Sequence, residues 1–389
     1  MKIIVAGGGV AGTTAAIALR RNGADVEIIE AYPDPAGQVG SFLSLARNGL
    51  ATLEALDCHA AVAAAGFEVP RQRLWSARGN LLADTARGRR ATDPKHGITQ
   101  LRTRLVAALR RVAAERGATI TTGARVTAAS ADADGVTVRL SDGGTRRADL
   151  LVGADGIWST LRTTLDPAAP TPRYAGLFTI SGIAEGIPTE PGYFNMTFAR
   201  PGAFVHVASP DGTTWWAAQV ARPEPPDLSA PTDAAWRDSL THWYRHTDSV
   251  RRILAHTTQL HRPTLNHTLD PVGVVHNDRI VLIGDAAHPV GAGQGASMAI
   301  EDAFVLAQSL RANAAIPAAL SAFADLRRPR IAKMLKSAND NRDSKTAGPI
   351  ARVVRGAMMR LFVPLVFDRA TAWLYDFDPG ELPQAAVRS

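Results

Sequence analysis

The sequence has a single cysteine, Cys58, among 389 residues. One thiol excludes an intramolecular disulfide, and no group of Cys and His residues has the spacing of a zinc site. We therefore expect no bound metal. Because Cys58 lies in a stretch of helical character, we interpret it as a packed thiol and not as a nucleophile.

Long apolar runs and cationic tracts are absent as well. No run reaches the roughly 18–20 apolar residues that span a bilayer, so we expect no stable membrane insertion. The net charge is +7, but arginine is spread along the chain without a Lys/Arg tract, so we expect no nucleic-acid binding. The start, MKIIVAGGGVAG, passes directly from a strand to a glycine turn, which is not a signal peptide and predicts a cytoplasmic protein.

The most informative segment runs from Arg279 to Leu310. Arg279–Ile283 is a short β-branched run, typical of a strand buried on both faces. Gly284 and Asp285 follow it and place a carboxylate at the strand's carboxyl end, where open α/β sheets bind ligands. A glycine-rich loop comes next, and helical spacing begins near Ala296. The segment predicts a strand, a loop that a flat ligand can approach, and a helix whose N-terminus favours anions.

The amino terminus predicts a dinucleotide site. Lys2–Ala6 has the composition of a buried strand, and the pattern G-x-G-x-x-G follows at Gly7, Gly9 and Gly12. Glu30 ends the next predicted strand, eighteen residues after Gly12. In such βαβ units the glycines allow a tight turn, approach of a pyrophosphate and close helix packing, while the acid binds ribose hydroxyls.

Two further segments add candidate ligand-binding side chains. In GADGIWSTLR, residues 153–162, Asp155 follows a buried strand and precedes a helix-like stretch. Ile98–Glu115 predicts an amphipathic helix, and Arg102 and Arg104 lie near its start, where a guanidinium can reach a phosphate.

Residues 165 to 270 predict a second domain built on an antiparallel sheet. Strands are expected at Tyr193–Phe198, Ala203–Ala208 and Thr214–Val220, joined by Pro-Gly and Asp-Gly turns. Apolar side chains on these strands are candidates for a substrate pocket: Phe194, Met196, Phe204 and Trp216. His206 is a candidate for activating a substrate hydroxyl, whereas His288 lies in the loop after Asp285, where a structural role is expected.

Taken in order, these motifs resemble those of the class A (single-component) flavoprotein monooxygenases, the group of para-hydroxybenzoate hydroxylase, salicylate hydroxylase and the tetracycline-inactivating monooxygenases. The resemblance spans about residues 1–345. It implies an α/β protein with a Rossmann-like, GR2-type FAD-binding domain, an inserted antiparallel-sheet substrate domain and C-terminal helices. By matching motif positions, it implies that FAD is bound by Gly7, Gly9, Val10, Ala11, Gly12, Glu30, Arg102, Asp155, Gly284, Asp285, Pro289, Gly293, Gly295, Ala296 and Ser297.

The domain boundaries are expected to interleave along the chain. We assign residues 1–70, 98–165 and 271–345 to the FAD-binding domain, and residues 71–97 and 166–270 to the substrate-binding domain. Residues 346–389 form the predicted C-terminal helical segment, which includes an apolar run at Phe362–Phe367.

The resemblance also implies an activity. With FAD as cofactor, NAD(P)H as transient co-substrate and O₂, the family hydroxylates or epoxidises an aromatic or polycyclic small molecule through a flavin C4a-hydroperoxide. A monomer or homodimer is expected. Two alternatives stay open: an FAD-dependent reductase or desaturase, which adds no oxygen to its product, and a non-catalytic FAD-binding redox sensor. Asp155, Asp285 and the glycine loop favour the monooxygenase.

Overall fold

The computed structural model describes residues 1–33, 42–228, 232–290, 293–346 and 369–384. In chain order its strands are β1 (Lys2–Ala6), β2 (Asp25–Glu30), β3 (Phe42–Leu45), β4 (Phe67–Glu68), β5 (Arg71–Ser76), β6 (Leu81–Ala86), β7 (Ile98–Leu101), β8 (Thr119–Thr122), β9 (Val126–Asp132), β10 (Gly135–Leu140), β11 (Thr145–Ala148), β12 (Leu150–Gly153), β13 (Arg173–Ala184), β14 (Tyr193–Phe198), β15 (Gly202–Ala208), β16 (Thr214–Ala221), β17 (Thr257–Thr268) and β18 (Ile280–Leu282). Its helices are α1 (Val10–Arg21), α2 (Arg47–Ala55), α3 (His59–Ala63), α4 (Arg102–Glu115), α5 (Thr160–Leu165), α6 (Asp233–Trp243), α7 (Asp248–Ala255), α8 (Gly295–Ala312) and α9 (Ile316–Thr346).

A five-stranded parallel sheet, in the order β18-β12-β1-β2-β8, carries all three ligand-binding segments. Both faces of β1 are covered. Ile3 and Val5 pack into a core with α1, α4 and α8, while Ile4 and Ala6 pack against the antiparallel meander β9–β11. Because the strands are parallel, the residues that follow β1, β12 and β18 meet at one edge. The Rossmann-like architecture predicted from the sequence is confirmed.

A seven-stranded sheet, in the order β17-β13-β16-β15-β14-β5-β6, forms the second large layer. We call one side the FAD-domain face, because its side chains pack against Phe42, Phe67 and Leu101 of the small β3-β7-β4 sheet; it comprises Phe194, Met196, Val205, Val207, Trp215 and Ala217. The other side is the helix-covered face, which packs against α6 and α7; it includes Phe178, Phe204, Trp216 and Ala218. The small β3-β7-β4 sheet also contacts the core that Ile3 and Val5 form with α1, α4 and α8. It therefore lies between the two large sheets.

Several local predictions need correction. Ile98–Leu101 is a strand, and the helix begins only at Arg102. The stretch of helical character around Cys58, which the sequence predicts over Ser44–Ala64, begins at the end of β3, and its helix divides into α2 and α3. Strand β17 was not predicted because it is rich in polar residues and contains Pro263, which an edge strand tolerates.

The carboxyl-terminal part of the described chain consists mainly of helix. Helical composition over Ala318–Lys336 predicts a helix, and the observed α9 extends beyond that range in both directions. Residues 369–375 form a further helical segment. The apolar run Phe362–Phe367 and Gly291 lie outside the described residues. Among the helices that the structure describes, none is both long and apolar enough to cross a membrane.

Candidate functional site

Gly7 and Gly12 allow three backbone segments to meet at the carboxyl edge of the parallel sheet. Gly7 has a φ of 106°, and a Cβ there would lie 2.3 Å from the carbonyl oxygen of Ala154, just after β12. A Cβ on Gly12 would lie 1.9 Å from the carbonyl oxygen of Gly7. Both positions therefore require glycine, and the β1–α1 turn contacts the segment that carries Asp155.

The N-terminus of α1 is open to a ligand. Gly9 is the N-cap, and no side chain accepts a hydrogen bond from the first turn. A Cβ built on Gly9 meets only one atom within 4 Å, Nη2 of Arg102 at 4.0 Å. The first N–H groups of a helix have no acceptor within the helix, so those of Val10, Ala11 and Gly12, beside a guanidinium, suit a pyrophosphate.

Glu30 lies next to this turn at the end of β2. Its Oε2 accepts a hydrogen bond from the Gly8 N–H at 2.6 Å, and its Oε1 accepts one from the Tyr32 N–H at 2.9 Å. Each carboxylate oxygen can accept a second hydrogen bond. The carboxylate is therefore held in place by the backbone and keeps acceptor capacity for ribose hydroxyls.

Asp285 faces the same cleft from the turn after β18. It is exposed, and none of the described residues donates a hydrogen bond to it. Protein atoms nevertheless surround its carboxyl, and this burial raises its pKa, an effect that His288 and Arg102 oppose. Arg102, itself exposed, lies close to both Gly9 and Asp285. An acceptor-only group that is left unpaired in a cleft is suited to bind hydroxyl donors such as those of a ribityl chain.

Asp155 differs from Asp285 because the protein uses both of its oxygens. Oδ1 accepts from the Ser159 hydroxyl at 2.5 Å, and Oδ2 accepts from the N–H groups of Thr160 and Leu161 at 2.8 and 3.2 Å. Burial raises the pKa of Asp155, and these hydrogen bonds oppose the rise. The carboxylate thus stabilises the start of α5.

Arg162, on α5, links this segment to the loop after β18. It is buried, and its guanidinium donates to the carbonyl oxygens of Ala286 at 3.0 Å and Ile157 at 2.8 Å. Sequence analysis did not identify this role, because only the fold shows that residues 157 and 286 are neighbours.

A buried ionic cluster supports the turn that carries Asp285. Asp302, on α8, accepts hydrogen bonds from the Gly284 N–H at 2.9 Å and His288 Nε2 at 2.6 Å, and from Arg327 Nε at 2.7 Å. Glu301 accepts from Arg327 and Arg330 at 2.7 to 2.8 Å, and from Asn48 at 2.7 Å. The expectation that His288 is structural agrees with this placement.

Asp302, one of the two carboxylates of that cluster, has a lowered pKa although it is buried. Burial raises the pKa of its carboxyl, but His288 and Arg327 outweigh this effect and bring the pKa to about 2. Glu301 and Asp302 interrupt an apolar helix, and Arg327 and Arg330 are three residues apart on another. This pairing of charges was the signal in the sequence that could have predicted the cluster.

The start of α8 completes the cleft. Ser297 is buried, its Oγ accepts a hydrogen bond from the Ala46 N–H at 3.3 Å, and a Cβ on Gly49 would lie 2.8 Å from that oxygen. Gly293 has a φ of 110° and, with a Cβ built on it, no atom within 4 Å. A Cβ on Gly295 would lie 3.8 Å from Asp285 Oδ1. The glycine loop and Asp285 are therefore neighbours, with open space beside Gly293.

The four candidate pocket residues lie on two different faces of the seven-stranded sheet. Phe194 and Met196 are on the FAD-domain face, whereas Phe204 and Trp216 are on the helix-covered face, with no exposed surface. His206 alternates with Val205 and Val207, so it shares the face of Phe204, whose ring centroid lies 6.4 Å away. Burial lowers the pKa of His206 to about 4. Phe204, Trp216 and His206 thus point away from the FAD-binding domain, contrary to expectation.

Three comparisons with known proteins agree with this geometry. Residues 1–338 match the family model described as an FAD binding domain. The chain is 32% identical over 339 residues to the aurachin C monooxygenase/isomerase of Stigmatella aurantiaca, covering 84% of this chain and 85% of the relative. It is 32% identical over 356 residues to the 3-amino-4-hydroxybenzoate 2-monooxygenase of Streptomyces cremeus, covering 87% and 86%.

The fold also has a close counterpart among solved structures. A crystal structure of Klebsiella pneumoniae HpxO complexed with FAD and uric acid superposes with a TM-score of 0.85 at 23% identity, covering 96% of this chain and 97% of that one. At that level of identity, the likeness shows a shared fold.

Proposed function

Since this chain belongs to the class A FAD-dependent monooxygenases, we propose that it uses NAD(P)H and O₂ to hydroxylate or epoxidise an aromatic or polycyclic small molecule. The observation that supports this most directly is Asp285, a carboxylate without a hydrogen-bond partner among the described residues, beside an open glycine loop. A redox sensor or a reductase on the same scaffold is the alternative that the experiment below distinguishes.

The cleft residues fit FAD. We propose that the first turn of α1 and Arg102 bind the pyrophosphate, Glu30 the adenosine ribose and Asp285 the ribityl hydroxyls. Pro289 and the loop of Gly293, Gly295, Ala296 and Ser297 lie beside the space for the flavin ring, and Gly284 sets the turn before them. When bound, FAD would accept a hydride from NAD(P)H and would then react with O₂, a chemistry that amino-acid side chains do not provide.

In this proposal Asp155 is a positioning residue. It holds the start of α5, and Arg162 on that helix holds Ala286 next to Asp285. Its effect on FAD is therefore indirect, through the shape of the turn after β18.

We place the substrate beside the FAD-domain face of the seven-stranded sheet, next to Met196, the half-buried member of that face. The buried Phe194, Val205 and Val207 make the surroundings apolar, which can exclude water and orient an aromatic ring. Phe204, Trp216 and His206 are left out of the pocket because they face the helices α6 and α7. The proposed role of the protein is thus to bind, orient and shield, without an assigned acid or base.

The proposal is tested by following the visible spectrum of the purified, FAD-reconstituted protein while NADH or NADPH is added, first alone and then with a panel of aromatic compounds. We expect slow bleaching of the flavin alone and much faster bleaching with one compound, followed by incorporation of isotopically labelled O₂ into its product. Fast bleaching without oxygen in the product would favour a reductase or desaturase. A flavin that neither nicotinamide bleaches would favour a sensor.

Two finer points belong to the proposal. Use of NAD(P)H favours action in the cytoplasm, where that reductant is supplied. The expected monomer or homodimer is checked by light scattering of the purified protein.

A further inference from the structure

Arg87 is a half-buried cation on the FAD-domain face of the seven-stranded sheet. It directly follows β6, and its guanidinium carbon lies 3.4 Å from the centroid of the Phe194 ring. Phe194 in turn forms an edge contact with Phe42 of the small sheet, with ring centroids 6.3 Å apart. Arg87 therefore lies between the two large layers, at the wall of the pocket proposed above.

The guanidinium uses few of its donors. Nη2 donates to the Ser44 hydroxyl at 3.0 Å, and that oxygen lies 2.6 Å from the Thr99 hydroxyl. Nε is buried and has no hydrogen-bond partner in the part of the chain that the structure describes. Among the described residues, no carboxylate forms a salt bridge with Arg87, although an arginine has five N–H donors. Burial lowers the pKa of the guanidinium to about 10, with Tyr375 opposing the shift.

Arg87 also lies close to the loop assigned to the flavin ring. A Cβ on its neighbour Gly88 would lie 3.3 Å from Ala46 Cα, and the Ala46 N–H donates to Ser297 Oγ at 3.3 Å. Ser297 is in the first turn of α8, directly after the glycine loop. One residue, Ala46, thus separates the Arg87–Gly88 segment from the start of α8.

We propose that Arg87 is a specificity-determining residue that binds an anionic oxygen, a carboxylate or an ionised phenol, of an aromatic substrate whose ring packs against the FAD-domain face. The inference rests on the proposed function. A partly desolvated guanidinium without a carboxylate partner favours an anionic ligand, because the ligand supplies both the counter-charge and the missing acceptors. Stacking on Phe194 fixes the plane of the guanidinium and so the direction from which the anion approaches.

The test uses pairs of probes that differ in charge and little in shape. Benzoate is compared with benzamide, and para-nitrophenolate with para-nitroanisole at a pH above the pKa of para-nitrophenol. Isothermal titration calorimetry of the FAD-reconstituted protein gives each dissociation constant. We expect wild type to prefer the anion of at least one pair by about tenfold or more, and the pair that shows the preference identifies the kind of oxygen.

Three variants then locate the preference. Arg87→Met should weaken binding of the preferred anion about 10- to 100-fold and leave its neutral partner within about threefold. Arg87→Lys keeps the charge but loses the planar fork, so it should lose part of the preference. Arg78→Met is the matched control, because Arg78 is exposed on the β5–β6 turn. Thermal unfolding of each variant checks that the fold is kept, and Arg87→Lys serves alone if Arg87→Met does not fold.

The proposal is overturned if wild type prefers neither anion, or if both Arg87 variants keep the wild-type preference. Failure of the proposed function gives a different result. In that case NAD(P)H does not bleach the flavin, while calorimetry still reports whether the anion preference depends on Arg87.

Discussion

Two aspartates at the same sheet edge show how scaffold and site differ in this molecule. Asp155 follows β12 and gives both oxygens to the start of α5, through Ser159 and two backbone N–H groups. Asp285 follows the adjacent strand β18 and receives no hydrogen bond from the described residues. An exposed carboxylate at the ligand-binding edge of a parallel sheet, with no donor from the described residues, keeps all its acceptor positions for a ligand.

Two arginines, the buried Arg327 and the half-buried Arg87, repeat this difference. Arg327 is saturated, since its guanidinium binds Glu301 at 2.8 Å and Asp302 at 2.7 Å. Arg87 has only hydroxyl and aromatic contacts in the described part of the chain. The sequence alone does not distinguish Asp155 from Asp285, or Arg327 from Arg87. The number of hydrogen bonds that each side chain makes in the structure does.

Removing Arg327, whose guanidinium is hydrogen-bonded to two buried carboxylates, should have the largest effect on stability. Arg327→Met removes the buried cation that Glu301 and Asp302 share, leaving Arg330 and His288 as their remaining partners, so we expect the free energy of unfolding to fall by about 3–5 kcal/mol. Urea unfolding of wild type and variant measures the loss. Arg328→Met is the control, because the side chain of Arg328 is 76% exposed and its ion pair should contribute little. Equal losses in the two variants would show that the cluster is not a stabilising unit.

Acid should weaken the same cluster. The folded pKa of Asp302 is about 2, below its ordinary value of 3.8, so its contribution is fully present above pH 4 and is lost as the pH falls through 2. The difference corresponds to about 2 kcal/mol in the free energy of unfolding. We expect Asp302→Asn to show a correspondingly smaller pH dependence in this range.

Asp132→Asn is the control for acid unfolding. Asp132 is exposed, and its pKa is also about 2 because of Arg147. Salt screens exposed pairs more than buried ones, so added salt should remove the Asp132 contribution and spare that of Asp302. A response to salt of the same size at both positions would contradict the buried cluster as the cause.

Replacing Asp155 should lower the free energy of unfolding less than the changes at Arg327 and Asp302. Asp155→Ala deletes hydrogen bonds to the start of α5, and we expect a loss of about 0.5–2 kcal/mol in the free energy of unfolding. Its FAD dissociation constant should rise by no more than about threefold, because three hydrogen bonds from Ser159, Thr160 and Leu161 already hold the carboxylate at the start of α5 and leave little acceptor capacity for a direct contact. A large loss of FAD affinity without a loss of stability would place Asp155 in contact with the cofactor.

Much of this architecture could be predicted because local patterns determine it. The glycines of the β1–α1 turn, Asp285 after a buried strand and the strands near Phe194 are each recognisable within a few residues of sequence. Which face of a strand meets which layer is not local. Phe194 and Phe204 have the same apolar character, but the pairing of β14 with β15 places them on opposite faces.

The unpredicted parts of the site depend on contacts between distant segments. Asp302 and Arg327 are 25 residues apart, and Arg87 and Phe194 are more than a hundred residues apart. The charges of Asp302 and Arg327 can be recognised in their helices as candidate partners, but nothing in the sequence indicates that Arg87 contacts Phe194. Strand β17 was not predicted for a related reason, since its polar residues suit an edge position that only the assembled sheet defines.

The central claim is that Asp285, which accepts no hydrogen bond from the described residues, binds the cofactor directly, whereas Asp155, which holds the start of α5, does not. It is tested most directly by the FAD dissociation constant of Asp285→Ala, measured by fluorescence titration of the apoprotein beside wild type and Asp155→Ala. We predict about 10- to 100-fold weaker binding for Asp285→Ala, because hydrogen bonds from ribityl hydroxyls to a carboxylate are lost. An Asp285→Ala variant that binds FAD as tightly as wild type would contradict the account.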